Sequence, residues 1–217
     1  MNDQMRLANT QLARMRAMTG MYHRRFFFDI NFTTVVVLTL FVVGWWGVEE
    51  TFLLVPVVAL MGAVATAFDA SYLLFARWYA RYLEAHLNEH AGSQVLVAAS
   101  LEDAFLFPLE SRKVVTIPLD GGFTWFSFVT VLYTTLGALA YGFGLYLGWD
   151  SLVVAAPEAG FVYLGSLFAL TSAALIVGVW WFVLGAGEKR LATVLESEFA
   201  APISPMDGSP DMGFRSQ

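Results

Sequence analysis

Residues 26–76 read FFFDINFTTVVVLTLFVVGWWGVEETFLLVPVVALMGAVATAFDASYLLFA. They form two apolar runs, 26–48 and 52–76, parted only by Glu49, Glu50 and Thr51. Each run exceeds the ~20 residues that cross ~30 Å of hydrocarbon at ~1.5 Å per residue. So short a connection forces the two to lie side by side and antiparallel. Two more runs follow, 123–149 and 161–186. The expected fold is therefore an all-α membrane protein, a bundle of four transmembrane helices with a small cytosolic cap.

The twelve Lys and Arg residues all avoid these runs and all fall on one side of them. Arg6, Arg14, Arg16, Arg24 and Arg25 precede the first run. Arg77, Arg81, Arg112 and Lys113 lie between the second and third, and Lys189, Arg190 and Arg215 follow the fourth. Connections 49–51 and 150–160 carry no positive charge. The positive-inside rule then puts both termini and segment 77–122 in the cytoplasm of a multi-pass protein of the cell membrane. The expected organisation is a cytosolic amphipathic helix (1–24), a transmembrane hairpin (25–76), a helical extension and cap (77–122), a second hairpin (123–186), a cytosolic helix (187–201) and a flexible tail (202–217).

Composition removes several function classes. Apolar residues make up 58% and charged residues 14%, which excludes an ordinary soluble domain. A net charge of −6 gives no reason to expect nucleic acid as a partner. The absence of cysteine removes disulfides, thiolate catalysis and zinc–thiolate sites. His23, His86 and His90 lie outside the runs, so no intramembrane haem ligand is at hand. No Lys sits within a run to form a Schiff base. The first 25 residues hold five Arg and no continuous apolar stretch, so no cleavable signal peptide is expected. With no nucleophile–base pair in view, the expectation is no catalytic residue, no metal and no cofactor.

Asp29 and Asp69 are the carboxylates at membrane level. Asp29 follows Arg24 and Arg25 by one helical turn, and Asp69 precedes Arg77 by two. Depth counting from the 49–51 connection places Asp69 beside Asn31, Thr33 and Thr34, and Asp29 beside Tyr72. Asp29, Asn31, Asp69 and Arg77 are thus the candidate intramembrane polar cluster, expected mainly to fasten the hairpin through ion pairs and hydrogen bonds. Glu49, Glu50, Asp150 and Glu158 form a candidate outer acidic mouth that would concentrate cations. Small residues recur every fourth position at Ala59, Ala63 and Ala67, at Ala140, Gly144 and Gly148, and at Gly165, Ala169 and Ala173. Such seams let helices approach closely in lipid. Intrachain packing accounts for most of them and leaves one face for a neighbouring subunit. Trp45, Trp46 and Trp149 mark one interface, and Trp78, Trp125, Trp180 and Trp181 the other.

Outside the membrane, Met5, Ala8, Leu12, Met15 and Tyr22 fall on one stripe of an amphipathic helix, interrupted by Thr19. The second run continues as helix to a C-cap at Gly92. His86 and His90 have the i,i+4 spacing of a helical metal site but lack a third ligand, so they read as a helix end. Segment 94–99 is a candidate ribbon partner for 113–117. Ser100-Leu-Glu-Asp103 has capping-box spacing ahead of a short helix at 104–107. Asp120-Gly-Gly122 turns the chain back, and 202–217 has the Pro, Ser and Gly content of a flexible tail. The function expected is a non-enzymatic membrane subunit, embedded in the lipid bilayer, that forms a homo-oligomer or joins other membrane subunits. The alternative is a homo-oligomeric ion-conducting pore, of which a gated pore-forming effector is a subclass.

The orientation is directly testable. Single cysteines at Glu50 and Ser151 should react with an impermeant thiol reagent applied to intact cells, and cysteines at Ser93 and Ser209 should not. The reverse pattern would overturn it.

Overall fold

The computed structural model describes residues 3–106, 109, 113–114, 117–118, 124–155 and 157–200. It is almost entirely helical, and four of its helical segments are long and apolar enough to cross a membrane. The helices are α1 (Asp3–Trp45), α2 (Leu54–Ala91), α3 (Ala98–Phe105), α4 (Trp125–Leu147), α5 (Pro157–Gly178) and α6 (Ala186–Ala200). A 3₁₀ turn at Glu49–Leu53 joins α1 to α2, and π-helical turns at Ser151–Ala155 and Val179–Val183 flank α5.

The first two helices dominate. At ~1.5 Å per residue, the 43 residues of α1 reach about 65 Å, twice the hydrocarbon thickness. The amphipathic segment and the first apolar run are therefore one unbroken helix, with no joint near residue 24. α2 pairs with it antiparallel along its length, and the pair continues past the apolar zone as a stalk. In the stalk, Leu12 and Met15 of α1 are buried against Ala80, Leu83 and Leu87 of α2, with Met5 and Ala8 packed at the margin. Thr19 lies on the same buried face, its hydroxyl donating to the Met15 carbonyl at 3.1 Å, so it does not interrupt the stripe. Gly92 (φ 66°) ends α2 in a left-handed C-cap.

The register of the pair differs from the one counted along the sequence. Gly47, at φ 110°, supplies a left-handed turn that a side-chain-bearing residue adopts with difficulty. The chain thus reverses at residue 47 rather than at 49–51. Partners sit symmetrically about that point: Tyr22 stacks on Tyr72 with centroids 5.0 Å apart, Arg25 faces Asp69, and Phe41 meets Phe52. Moving the pivot by about three residues moves the partner of every α1 residue by about six, nearly two turns. That is why Asp69 does not meet Asn31, Thr33 or Thr34, and why Tyr72 opposes Tyr22 rather than Asp29.

Near the turn, Val37, Phe41, Phe52 and Val55 form an apolar cluster. α4 docks there because Gly144 brings its backbone against Val55 and the Phe52 carbonyl, where a Cβ would meet atoms at 2.8 and 3.0 Å. Gly148 seats against Leu53 in the same way. In α2 Gly62 makes a close approach to Thr33, while in the Ala59–Ala63–Ala67 series Ala63 is exposed and Ala59 and Ala67 are half-buried. A third cluster joins Phe26 and Ile30 of α1 to Ala70, Leu73 and Leu74 of α2 and Phe126 of α4. Thr124 caps α4, accepting from the Ser127 N–H at 3.2 Å.

α5 is attached sparsely. None of the three apolar clusters contains an α5 residue. Its ties include the Tyr141–Thr171 hydroxyl pair at 2.9 Å, the Tyr163 hydroxyl donating to the Leu53 carbonyl, Gly160 pressed on Leu152, and the buried side chain of Leu167. The described part of the fold is thus a tight hairpin with α4 docked and α5 leaning on it, rather than a closed bundle.

Two expectations for the cap are corrected. The ribbon pairs Lys113–Val114 (β1) with Ile117–Pro118 (β2), antiparallel, and 94–99 takes no part in it. The Asn88 carboxamide accepts from the Val95 and Leu96 N–H groups at 3.0 and 2.8 Å and donates to the Leu96 carbonyl at 2.8 Å, supplying the bonds a ladder would have made. The short helix starts at Ala98, ahead of the Ser100 box, and it is capped from another helix as described below. The expected turn at 120–122 and the tail 202–217 lie outside the described residues.

Gly62→Val should force Thr33 away and lower stability by about 1–3 kcal/mol. Gly137→Ala, where a Cβ meets nothing within 4 Å, should be neutral or slightly stabilising. Thermal unfolding of both variants in nanodiscs checks the assignment of close contact to one glycine and not the other.

Candidate functional site

Four polar side chains of α2 fall on one stripe that the sequence reading passed over: Arg77, Arg81, Glu84 and Asn88, spaced four, three and four residues apart. Together they hold α3. The Arg77 side chain is fully buried, with Nη2 2.9 Å from Asp103 Oδ1 and Nε 3.3 Å from Glu102 Oε2. Arg81 takes the other Asp103 oxygen. One turn on, buried Glu84 accepts from the Ala99 N–H at 3.2–3.3 Å and pairs with Arg16 of α1 at 2.8 Å. Glu84 therefore does for α3 what Ser100 was expected to do. An acid at a helix N-terminus satisfies an otherwise free N–H and complements the helix dipole. Burial strips Arg77 of water, and two carboxylates replace that water with charge-assisted hydrogen bonds.

Arg77 accordingly does not join Asp69. The proposed cluster divides: Arg77 turns to α3, and Asn31 is exposed on the far side of α1. Asp69 and Asp29 stay together, with Arg25 in place of the other two. Asp69 is 1% exposed. Arg25 Nε approaches Asp69 Oδ1 at 3.4 Å, yet neither Asp69 oxygen receives a hydrogen bond. Asp29 lies beside Asp69, lining one groove with it. Two carboxylates are acceptors only, so they cannot bond to each other without a proton or cation between them.

This pair closes the stalk end of a groove of about 460 Å³. Leu60, Met61, Val64, Ala65 and Phe68 of α2 form one wall, Leu170 and Ala174 of α5 the other. A second hollow, of about 240 Å³, lies between α2 and α6, lined by Trp78, Trp181, Glu188 and Leu191. Trp78 Nε1 is buried there without an acceptor.

At the opposite end of the helices, Glu49, Glu50, Asp150 and Glu158 are all exposed, and none forms an ion pair among the described residues. Glu49 and Glu50 begin the 3₁₀ turn and Glu158 sits in the first turn of α5, where a negative charge favours the helix dipole. The His86 and His90 rings lie 4.4 Å apart between centroids, tilted by 54°, and no group of three metal-binding side chains occurs among the described residues. No protein-family model, curated protein or solved structure matches this chain.

The stripe predicts unequal roles for its arginines. Arg77→Met takes the described partner from Glu102 and leaves Asp103 to Arg81, and should cost about 3 kcal/mol of stability, with faster proteolysis at α3. Arg81, 29% exposed, should cost about 1 kcal/mol or less on the same change. Equal losses in thermal unfolding would contradict the anchoring role given to Arg77.

Proposed function

We propose that the chain is a non-enzymatic integral membrane subunit that associates with copies of itself, or with other membrane subunits, through α5. Both termini and the stalk face the cytoplasm in this reading, as the charge pattern requires. One observation carries it. Of the small-residue seams, the one on α4 is consumed inside the chain, where Gly144 and Gly148 contact α2 and the turn before it. The seam on α5 is not: Gly165, Ala169 and Ala173 are exposed, and a Cβ on Gly165 would meet nothing within 4 Å.

Bare apolar surface is no argument in a bilayer, since lipid covers it without cost. A seam of small residues is different. It lowers the helix surface so that another backbone can approach, and packing of that kind drives association in lipid. α5 also makes the fewest intrachain ties of the four membrane helices, so a neighbour would complete its packing. The stalk and its α3 clamp supply a separate cytoplasmic face for soluble contacts.

The runner-up is a homo-oligomeric cation pore, favoured by the exposed, unpaired acids Glu49, Glu50, Asp150 and Glu158 at one end. The self-associating form and the pore both need an oligomer, and ion flux separates them. The wild-type protein in nanodiscs should have the mass of two or more chains, and Gly165→Leu combined with Ala169→Leu should shift it to the monomer. Proteoliposomes should pass no cation current above empty vesicles. A wild-type monomer at every concentration would overturn self-association and leave only the form with other membrane subunits. A current that falls when the four acids become amides, most strongly at low salt, would favour the pore instead.

A further inference from the structure

The groove that ends on Asp69 has a property the assembly reading does not use. Its walls are apolar and contributed by two helices, α2 and α5, while its stalk end holds two carboxylates and one guanidinium. That end carries one more negative than positive charge. Asp69 is buried and neither of its oxygens is hydrogen-bonded. Arg25 stands at 3.4 Å from one of them, but its side chain is 60% exposed. Among the described residues that line the groove, Arg25 is the one cation: α4 has no charged residue, and the only charge on α5 is Glu158, at the opposite end. Arg24 of α1 is directed to the Gly20 carbonyl.

The geometry points to a binding site for a single-chain lipophilic amine, its ammonium on Asp69 and Asp29 and its alkyl chain along Leu60, Met61, Val64 and Leu170. The chemistry of both ends requires such a molecule. An ammonium brings one positive charge and three N–H donors, which serves two acceptor-only carboxyl groups at once. From Asp69 to Leu60 is nine residues of helix, about 13 Å, enough for most of a dodecyl chain. The amine would lie as amphiphiles lie in a bilayer, head near the interface and tail toward the middle. A chain already in lipid gains little by entering the groove, so the head provides the selectivity. A neutral alcohol lacks the charge, and a quaternary ammonium lacks the N–H donors. A bare proton shared by the acids would leave the groove to ordinary acyl chains.

The full-length protein in phosphatidylcholine nanodiscs, which have no net lipid charge, is titrated with radiolabelled dodecylamine and compared with empty discs. A saturable component of about one equivalent per chain is expected above the linear partitioning of empty discs, whatever the oligomeric state. Unlabelled dodecylamine should displace it; dodecanol and dodecyltrimethylammonium should not. Asp69→Asn keeps the shape of the site and should weaken binding roughly tenfold or more. Leu170→Trp fills the groove with both acids intact and should abolish the saturable component, so the site is still read if the Asp69 variant does not fold. Partitioning no different from empty discs would overturn the assignment, as would equal competition by dodecanol or undiminished binding in both variants.

Discussion

The reversal at Gly47 is the constraint on which the rest of the structure depends. A membrane hairpin has one degree of freedom that its apolar composition leaves open, the register of one helix along the other, and the pivot residue sets it. With the pivot at 47, Gly62 meets Thr33, Tyr22 meets Tyr72 and Arg25 meets Asp69. Each is a specific contact, and a slip of one turn would break all of them together. The left-handed conformation of one glycine thus selects which polar groups share a depth in the membrane.

The second organising element is electrostatic. Arg77 has no exposure to solvent, and its charge is tolerable only because Glu102 and Asp103 are brought to it. Those acids lie on a helix of eight residues, too short to be stable alone. Stalk and cap are therefore mutually dependent: the cap neutralises a buried cation, and the stalk supplies the stripe that orders the cap. Glu84 ties a third element into the arrangement through Arg16 of α1.

The four apolar segments were legible in the sequence because length and hydropathy are summed over ~20 residues and tolerate error at the ends. The stalk face was legible for the same reason, since Leu12, Met15 and Leu83 repeat with helical period. The C-cap at Gly92 followed from a single residue with a well-defined preference. Register was not legible, because it depended on which of several adjacent turn residues would take a left-handed conformation. The polar cluster was half legible: Asp29 and Asp69 line one groove, but Arg77, eight residues after Asp69, has its partners 25 and 26 residues further along the chain. The spacing of Arg77, Arg81, Glu84 and Asn88 was available as a signal. On the same helix the i,i+4 pair His86 and His90 is the more conspicuous feature of the sequence, and both histidines prove exposed.

The unbroken course of α1 and α2 through the interface has a mechanical consequence. Most membrane helices end or kink near the headgroups, so that what lies beyond them moves independently. Here the hydrogen-bond ladder is continuous from the pivot to the far end of the stalk, and two such rods are locked side by side. A helix pair responds to the thickness of the surrounding bilayer by tilting. With no hinge at the water boundary, tilt within the lipid becomes lateral travel of the stalk tip, increasing with distance from the surface. The hairpin is in that sense a pointer whose reading is the thickness of the membrane.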